Sequence, residues 1–488
     1  MAWLPRRCVR LAAAAVAVLA PLATAADEPQ PFEEVELPVA PLVVSVDSAT
    51  ITVVVDDGDT PVVRWRKTHP SQPGVADLEP MSDGGTVILE RPPLPDGAAA
   101  ARLTIEAVVS SAAGGLTVTG NDVELVIGNR APDTSNDDAD EVAKANQMAA
   151  RPLDLRLTRS RAQLSGIGGV VGTLDDCQIT TSNTRGTVDL TVNGGDLRLE
   201  GHEGTLKLVG QGASVAGDRV DGPVHVQLTG GSVMLTGMEA SFNITGTDAQ
   251  IELVESRGNG TVSGTNATIN IRDSQINRLN LRGTSNYINL SRSDGTTTID
   301  LVGGSLTADD AAGQLNGGAR DGADVAVATF SGDISVNLGD GARADLRDID
   351  GAVSATVNHG ELDVDGATSL ALNAQDGWVT ARAIREIKKL QARSSRVELD
   401  LNEVSATDIA LRVERDSSLR VELATPCRVR VTGVDASLAS QVEVLGCELQ
   451  FGQGRRWATR RVRGVDGNLP TTLTVTMSDA GELVVEGR

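Results

Sequence analysis

Apolar residues in the middle of the chain recur with a period of 18 positions. One pair of apolar columns reads Val170, Val188, Leu206, Val224 and Phe242, then Leu190, Leu208, Val226, Ile244 and Val262. Nine positions further along, a second pair reads Ile179, Leu197, Val215, Val233, Ile251 and Ile269, then Leu199, Gly217, Leu235, Leu253 and Ile271. Turn-forming residues separate the pairs, in columns of Gly194, Gly212, Gly230, Asp248 and Asn266 and of Gly186, Gly204, Gly222, Ala240 and Gly258.

The spacing inside each repeat predicts strands. A period of 18 also equals five turns of α-helix, so the period alone does not decide between the two. The apolar residues stand at i and i+2 between polar ones, and Gly, Asn or Asp encloses each pair, which is typical of short strands. Two glycine-rich columns per repeat would cost a helix about 2 kcal/mol relative to alanine.

Each repeat is expected to form a closed coil. The two apolar pairs are an odd number of positions apart, so a turn between them must return both to the same inner side. A single coil cannot bury its apolar row alone and must stack on its neighbours. We therefore predict an all-β fold, a parallel β-solenoid of 18-20 residue coils over residues 153–450. Right-handed coiling is expected, because parallel crossover connections are usually right-handed.

Two regions flank this predicted solenoid. Residues 26–128 contain alternating stretches such as Thr86–Leu89 and predict a small N-terminal β-module. Residues 129–152 are acidic and Ala-rich and predict a linker. Residues 451–488 lose the period and predict a C-terminal cap, in which Leu473–Val475 and Leu483–Val485 would form a hairpin. A cap is expected because a bare terminal coil would expose an adhesive sheet edge.

The start of the chain, residues 1–25, has the pattern of a signal peptide. Arg6, Arg7 and Arg10 precede an apolar run from 11 to 22, and Ala23 to Ala25 supply small residues for cleavage. Cys8 precedes the apolar run, where a lipid-anchored cysteine would have to follow it. No later stretch approaches the roughly 20 apolar residues that span a bilayer. We expect an exported protein without a membrane span, located in the periplasm, on the cell surface or outside the cell.

Composition narrows the classes of partner. The 488 residues carry a formal net charge of -23, and only 2% are aromatic. Nucleic acids attract proteins through a basic field and stack on aromatic side chains, so no nucleic-acid partner is expected.

Three cysteines follow the predicted signal peptide. Cys427 and Cys447 are separated by about one coil, which would bring them within disulfide distance. Cys177 is expected to be a buried small apolar residue.

Two basic clusters stand out against the acidic background. Trp457 lies among five arginines, which suggests contact with a polyanion such as an anionic polysaccharide: Arg455, Arg456, Arg460, Arg461 and Arg463. Near Trp378 lie Arg382, Arg385, Lys388, Lys389, Arg393 and Arg396. The alternative for both clusters is a solvated turn. Residues 383–392 could also form a short helix, although Leu390 and Ala392 fit the strand pattern.

No catalytic residue, metal site or cofactor is expected. Enzymes that cleave polysaccharides can use β-helices, and their sites need paired carboxylates or calcium with a base. Asp309, Asp310, Asp345, Asp348 and Asp350 are candidates by residue type alone. The four histidines fall in unrelated phases of the repeat, and His225, between two inward positions, should face solvent.

Three stretches carry a family resemblance. They are ATITVVVDDGDTPVVRW from Ala49, RLTIEAVVSSAAGGLTVTGNDVELVIG from Arg102 and GTVDLTVNGGDLRLEG from Gly186. This pattern resembles a bacterial adhesin family that is similar to auto-transporter adhesin head domains. The resemblance implies an exported β-helical envelope or surface protein and supplies no catalytic residues.

The expected function is structural or adhesive, with a cell-surface or polysaccharide ligand bound on the flank or tip of the rod. The alternative is a β-helix that binds or cleaves a polysaccharide, as a lyase or glycosidase.

Overall fold

A computed structural model describes residues 33–36, 39–56, 62–67, 79–83, 86–90, 102–110, 115–129 and 152–400, together with short strands between 408 and 487. The described residues form strands and turns with no helix, and the parallel strands stack into a β-solenoid of about 14 turns. The predicted fold class is confirmed. Within these ranges, no helix has the length and apolar character needed to cross a bilayer.

The structure describes nine strands before residue 130. They are β1 (Glu33–Glu36), β2 (Leu42–Ser45), β3 (Ala49–Asp56), β4 (Val62–Lys67), β5 (Glu79–Asp83), β6 (Thr86–Glu90), β7 (Leu103–Ser110), β8 (Leu116–Asn121) and β9 (Val123–Asn129).

The central coils contain 22 strands. The first eleven are β10 (Pro152–Thr158), β11 (Arg161–Ser165), β12 (Gly169–Arg185), β13 (Val188–Glu203), β14 (Leu206–Gln211), β15 (Ser214–Asp221), β16 (Val224–Thr229), β17 (Ser232–Thr236), β18 (Glu239–Thr247), β19 (Gln250–Val254) and β20 (Arg257–Thr265). The others are β21 (Thr268–Arg272), β22 (Gln275–Thr284), β23 (Tyr287–Ser291), β24 (Asp294–Val302), β25 (Ser305–Arg320), β26 (Asp324–Gly339), β27 (Arg343–Asn358), β28 (Glu361–Gln375), β29 (Trp378–Ile384), β30 (Ile387–Arg393) and β31 (Arg396–Asp400).

Seven short strands are described after residue 400. They are β32 (Asp408–Glu414), β33 (Ser418–Leu423), β34 (Arg428–Thr432), β35 (Glu448–Phe451), β36 (Thr472–Val475), β37 (Met477–Ser478) and β38 (Glu482–Gly487).

The register between coils matches the predicted period. Val188 pairs with Leu206 and Leu206 pairs with Val224, both in parallel, as the first apolar column predicts. The step is one residue longer where Ser305 pairs with Asp324. Coils of unequal length stack in register because an extra residue is absorbed in a bulge or a corner.

One column of corner residues has the left-handed backbone that the turn columns predict. Its predicted members Gly194, Gly212, Gly230, Asp248 and Asn266 all have φ between 52° and 68°. Gly, Asp and Asn adopt this conformation at the lowest cost. Each such residue redirects the chain between the two apolar pairs of one coil.

The interior is a narrow stack of apolar side chains. Leu190, Leu208 and Ile244 are at most 1% exposed. The ring of Phe242 lies against Gly260, the residue paired with it on the next coil. A Cβ atom on Gly260 would be only 2.1 Å from this ring. Glycine in the apolar column therefore makes room for a large ring.

The N-terminal strands continue the sheets of the solenoid. β8 and β9 pair in parallel with β10 and β11, and β2 and β3 pair in parallel with β8 and β9. β6 and β7 stack on the opposite side of β2 and β3, so the order of coils here differs from the order along the chain. β4 and β5 then add antiparallel strands to this end. Residues 130–151 of the predicted linker lie outside the described residues.

The C-terminal strands pair differently from the predicted hairpin. β36 pairs in parallel with β34 and β35, and β38 pairs in parallel with β33. Both predicted partners therefore extend the existing parallel sheets. Strands that continue the coils gain hydrogen-bonded neighbours in a large sheet, whereas an isolated two-stranded hairpin is only marginally stable.

Candidate functional site

Tyr287 and Trp378 are the exposed aromatic residues among the described side chains. Of the five aromatic side chains described, Trp65, Phe242 and Phe330 are buried, with 6%, 4% and 5% exposure. Tyr287 is 64% exposed and Trp378 is 47% exposed. Large exposed aromatic rings are candidates for contact with a ligand, because burying them against one gains both area and stacking energy.

Both rings occupy the same column of one parallel sheet. From Tyr287, the residues paired in succession are Ser305, Asp324, Arg343, Glu361 and Trp378. Neighbouring strands of a sheet lie about 4.8 Å apart, so five such steps amount to roughly 24 Å along the solenoid.

Strand alternation directs this column outward. Ile288 and Leu290 are 2% and 3% exposed and face the core, so Tyr287 faces solvent. Val379 is 0% exposed and faces the core, so its neighbour Trp378 faces solvent. We define the aromatic face as the outward residues of these six strand segments: Tyr287, Asn289, Ser291, Ser305, Thr307, Asp309, Asp324, Ala326, Ala328, Arg343, Asp345, Arg347, Glu361, Asp363, Asp365, Trp378, Thr380 and Arg382.

Ion pairs cross the aromatic face. Arg347 donates hydrogen bonds of 2.9 and 2.6 Å to the carboxylate of Asp345. These hydrogen bonds raise the pKa of the Arg347 guanidinium. Arg343 lies 3.8 Å from Glu361. The face contains three arginines and six carboxylates, so its formal net charge is -3. It therefore offers many hydrogen-bond donors and acceptors within an acidic field.

Trp378 is oriented by the next coil. The guanidinium of Arg396 lies 5.0 Å from the centre of its ring, and Trp378 pairs in register with Arg396. Arg396 is itself held by Glu398, whose Oε1 accepts hydrogen bonds of 3.0 and 2.6 Å. This arrangement reduces the conformational freedom of the ring before any ligand arrives.

The structure separates the basic residues near Trp378. Arg382 lies on the aromatic face and Arg396 adjoins it, whereas Lys389 and Arg393 belong to β30 on another side of the coil. The alternative of a short helix over residues 383–392 is wrong, because Ala383 is a left-handed corner with a φ of 50°. The three-residue spacing of Ile384, Ile387 and Leu390 arises from the corner between β29 and β30 and from a register shift within β30.

The candidate carboxylates of a sugar-cleaving site also lie apart. Asp309 and Asp345 are both on the aromatic face, on strands that are two steps apart, but Asp348 is a corner residue with a φ of 52°, and Asp350 follows that corner. Asp310 is a corner residue with a φ of 53°. Corners turn the chain from one side of the coil to the next, so the sequence cluster is dispersed.

The prediction for Cys177 is confirmed, and His225 is exposed as predicted. Cys177 is a free cysteine with 0% exposure, and its burial raises the pKa of the thiol. Among the described residues, no group of three or more His, Cys, Asp or Glu side chains is placed to hold a metal ion.

His202 is a buried residue that the sequence pattern did not reveal. It is 0% exposed and pairs with Thr184 and Val220. Burial lowers the pKa of its imidazole. Neither ring nitrogen, nor the hydroxyl of Thr181 or Thr184, has a hydrogen-bond partner among the described residues. The available signal was its position after Gly201, a left-handed corner with a φ of 66°.

Two predicted features lie outside the described side chains: the cluster around Trp457 and the disulfide between Cys427 and Cys447. Comparisons with protein-family models, curated proteins and solved structures find no match to this chain. The aromatic face is an elongated, solvent-facing surface with an aromatic ring near each end and paired charges between them.

Proposed function

We propose that this protein is an exported, non-enzymatic β-solenoid that acts as a structural or adhesive element of the bacterial envelope or surface. The observation that carries the proposal is the placement of both exposed rings, Tyr287 and Trp378, in one outward column. The protein contacts its ligand through the flank of the rod, and the aromatic face is the contact surface.

The composition supports a binding role for these two rings. The chain has few aromatic residues, and the other described ones serve the core or the end of the rod. Tyr and Trp are favoured at contact surfaces because they combine a large apolar area with a polar tip and few rotatable bonds. Regular coils hold both rings on a rigid support, which lowers the entropy lost on binding.

The signal-peptide pattern at residues 1–25 and the adhesin-like repeats support export and display. A solenoid suits a structural role, because each coil is stabilised mainly by its neighbours and the rod can project a surface at a distance.

The alternative function is cleavage of a bound polysaccharide. It is favoured by one observation: Asp345 and Asp363 are neighbours in register on the aromatic face, and a pair of carboxylates is the usual requirement for glycoside hydrolysis. Arg347 and Arg382 lie 2.6 and 4.0 Å from these carboxylates, so each carboxylate is already engaged by an arginine rather than open to a substrate. The binding role is therefore the stronger proposal.

Localisation of epitope-tagged protein tests the proposal. Antibody should label intact cells, or tagged protein should appear in the medium. Recovery of all tagged protein in the periplasm would contradict an adhesive role. Incubating the purified protein with polysaccharides and measuring new reducing or unsaturated ends tests the alternative, for which Asp345→Asn should abolish any product.

A further inference from the structure

We propose that the aromatic face binds a neutral, hydroxyl-rich polysaccharide laid along the axis of the rod, with Tyr287 and Trp378 as its two stacking points. This inference rests on the proposed function, because it takes the same surface as the contact site and assigns the chemistry of its ligand.

The spacing of the rings favours an extended polymer. Five strand steps separate the two residues in the paired column. At about 4.8 Å per step, this separation is roughly 24 Å. A single small molecule cannot contact both rings. A chain of several sugar rings can, and the apolar face of a pyranose is a good match for an aromatic ring.

The residues between the rings favour a ligand rich in hydroxyl groups. Ser305, Thr307 and Thr380 offer hydroxyls, and the arginines and carboxylates offer charged donors and acceptors. Arg343 and Glu361 are 3.8 Å apart and 55% and 41% exposed, so both can add hydrogen bonds to a ligand. Residues 326 and 328 in the middle of the face are both alanine, and their small side chains do not project far from the sheet. They offer little apolar area for contact with a protein partner.

The charge of the face selects a neutral polymer over an anionic one. Six carboxylates outnumber three arginines here, and the whole chain has a net charge of -23. A polyanion would meet repulsion from this field, which would be strongest at low ionic strength. A neutral polysaccharide carries no such penalty, and its binding should change little with salt.

Binding of full-length purified protein to defined polysaccharides tests the inference. The probes are insoluble cellulose and soluble xylan, galactomannan and mixed-linkage β-glucan, with polygalacturonate and dextran sulfate as anionic probes. Tyr287→Ala and Trp378→Ala should each weaken binding of the neutral polysaccharide that the wild-type protein binds by roughly tenfold, which corresponds to the loss of one aromatic contact. Met234→Ala is the matched control, because Met234 is 40% exposed on an earlier coil of the same sheet.

Chain length provides the sharper readout. The affinity for a long polymer should fall with either aromatic substitution. A disaccharide is too short to span both rings, so the presence of the second ring should not raise its affinity. The inference is overturned if no neutral probe binds, if an anionic probe binds more tightly, or if both aromatic variants bind like the Met234→Ala control. Surface display with unchanged glycan binding in the variants would reject this inference alone, while retention in the periplasm would reject the adhesive function.

Discussion

The guanidinium of Arg396 lies 5.0 Å from the centre of the Trp378 ring, one coil further along the solenoid. Glu398 holds this guanidinium through two hydrogen bonds to one carboxylate oxygen. The ring remains 47% exposed, so the contact positions it without removing it from solvent. Parallel stacking is the cause, because residues of successive coils lie side by side at the strand spacing.

Replacing Arg396 with alanine should weaken polysaccharide binding by less than Trp378→Ala does. The ring would survive but lose an exposed cation–π contact of about 0.5–1 kcal/mol, and with it a preferred orientation. Tryptophan fluorescence, titrated with the neutral polysaccharide that the wild-type protein binds, measures the affinity of each variant. Arg396→Lys, which keeps the positive charge, should fall between wild type and Arg396→Ala. An affinity in Arg396→Ala as low as in Trp378→Ala would instead indicate that Arg396 itself contacts the ligand.

Replacing Gly204 with alanine should destabilise the solenoid by about 3 kcal/mol or more. Gly204 has a φ of 134°, and an added Cβ would lie 2.0 Å from the carbonyl oxygen of Gly186 on the adjacent coil. Gly212 is the matched control, since its φ is 65° and an added Cβ would meet no atom within 4 Å.

Gly212→Ala should therefore cost only about 1–2 kcal/mol, the strain of a left-handed alanine. Urea unfolding followed by circular dichroism compares the two variants. Equal destabilisation would show that the close approach between Gly204 and Gly186 does not restrict this corner.

Replacing Gly260 with alanine should also be destabilising, and a second substitution should relieve it. The added Cβ would lie 2.1 Å from the ring of Phe242, which is 4% exposed and cannot move into solvent. Gly260→Ala alone should cost about 1–3 kcal/mol through overpacking. In the Phe242→Val background the cost should fall or reverse, because the methyl group then fills vacated volume. A double-mutant cycle of unfolding free energies measures this coupling, and additive effects would contradict it.

The free energy of unfolding should fall as the pH drops below about 6.5, in part because of His202. Burial lowers the pKa of His202 in the folded protein below the ordinary value of 6.5. The unfolded chain therefore takes up a proton first, and each pH unit below about 6.5 costs the folded state up to about 1.4 kcal/mol until the folded pKa is reached. At higher pH the imidazole is neutral in both states and contributes no pH dependence.

His202→Val provides the control for this titration, since the paired position on the next coil is Val220. The variant should lose part of the pH dependence between about pH 6.5 and 5 and should match or exceed the wild type at about pH 7.5, because it removes two ring nitrogens that lack hydrogen bonds. Urea midpoints across this pH range measure the difference. Identical pH profiles would exclude His202 as a source of the acid sensitivity.

The repeat in the sequence is sufficient to specify the coil. Alternation at i and i+2 set which residues face inward, and the column of Gly194, Gly212 and Gly230 marked a left-handed corner. These features depend on local backbone preferences and on a constant period, both of which can be read from neighbouring residues. The buried state of Cys177 and the exposure of His225 followed from the same pattern.

Contacts between coils determine which distant residues share a face. The paired residues that connect Tyr287 to Trp378 are unequally spaced along the chain, so no single period links the two rings. A shift of one residue in any step would turn a side chain from solvent to core, and bulges and corners that absorb such shifts have weak sequence signals. The reversed stacking of β6 and β7 on β2 and β3, and the burial of His202, likewise depend on contacts between coils. The periodic sequence therefore specifies the rod, whereas the packing of unequal coils creates its aromatic face.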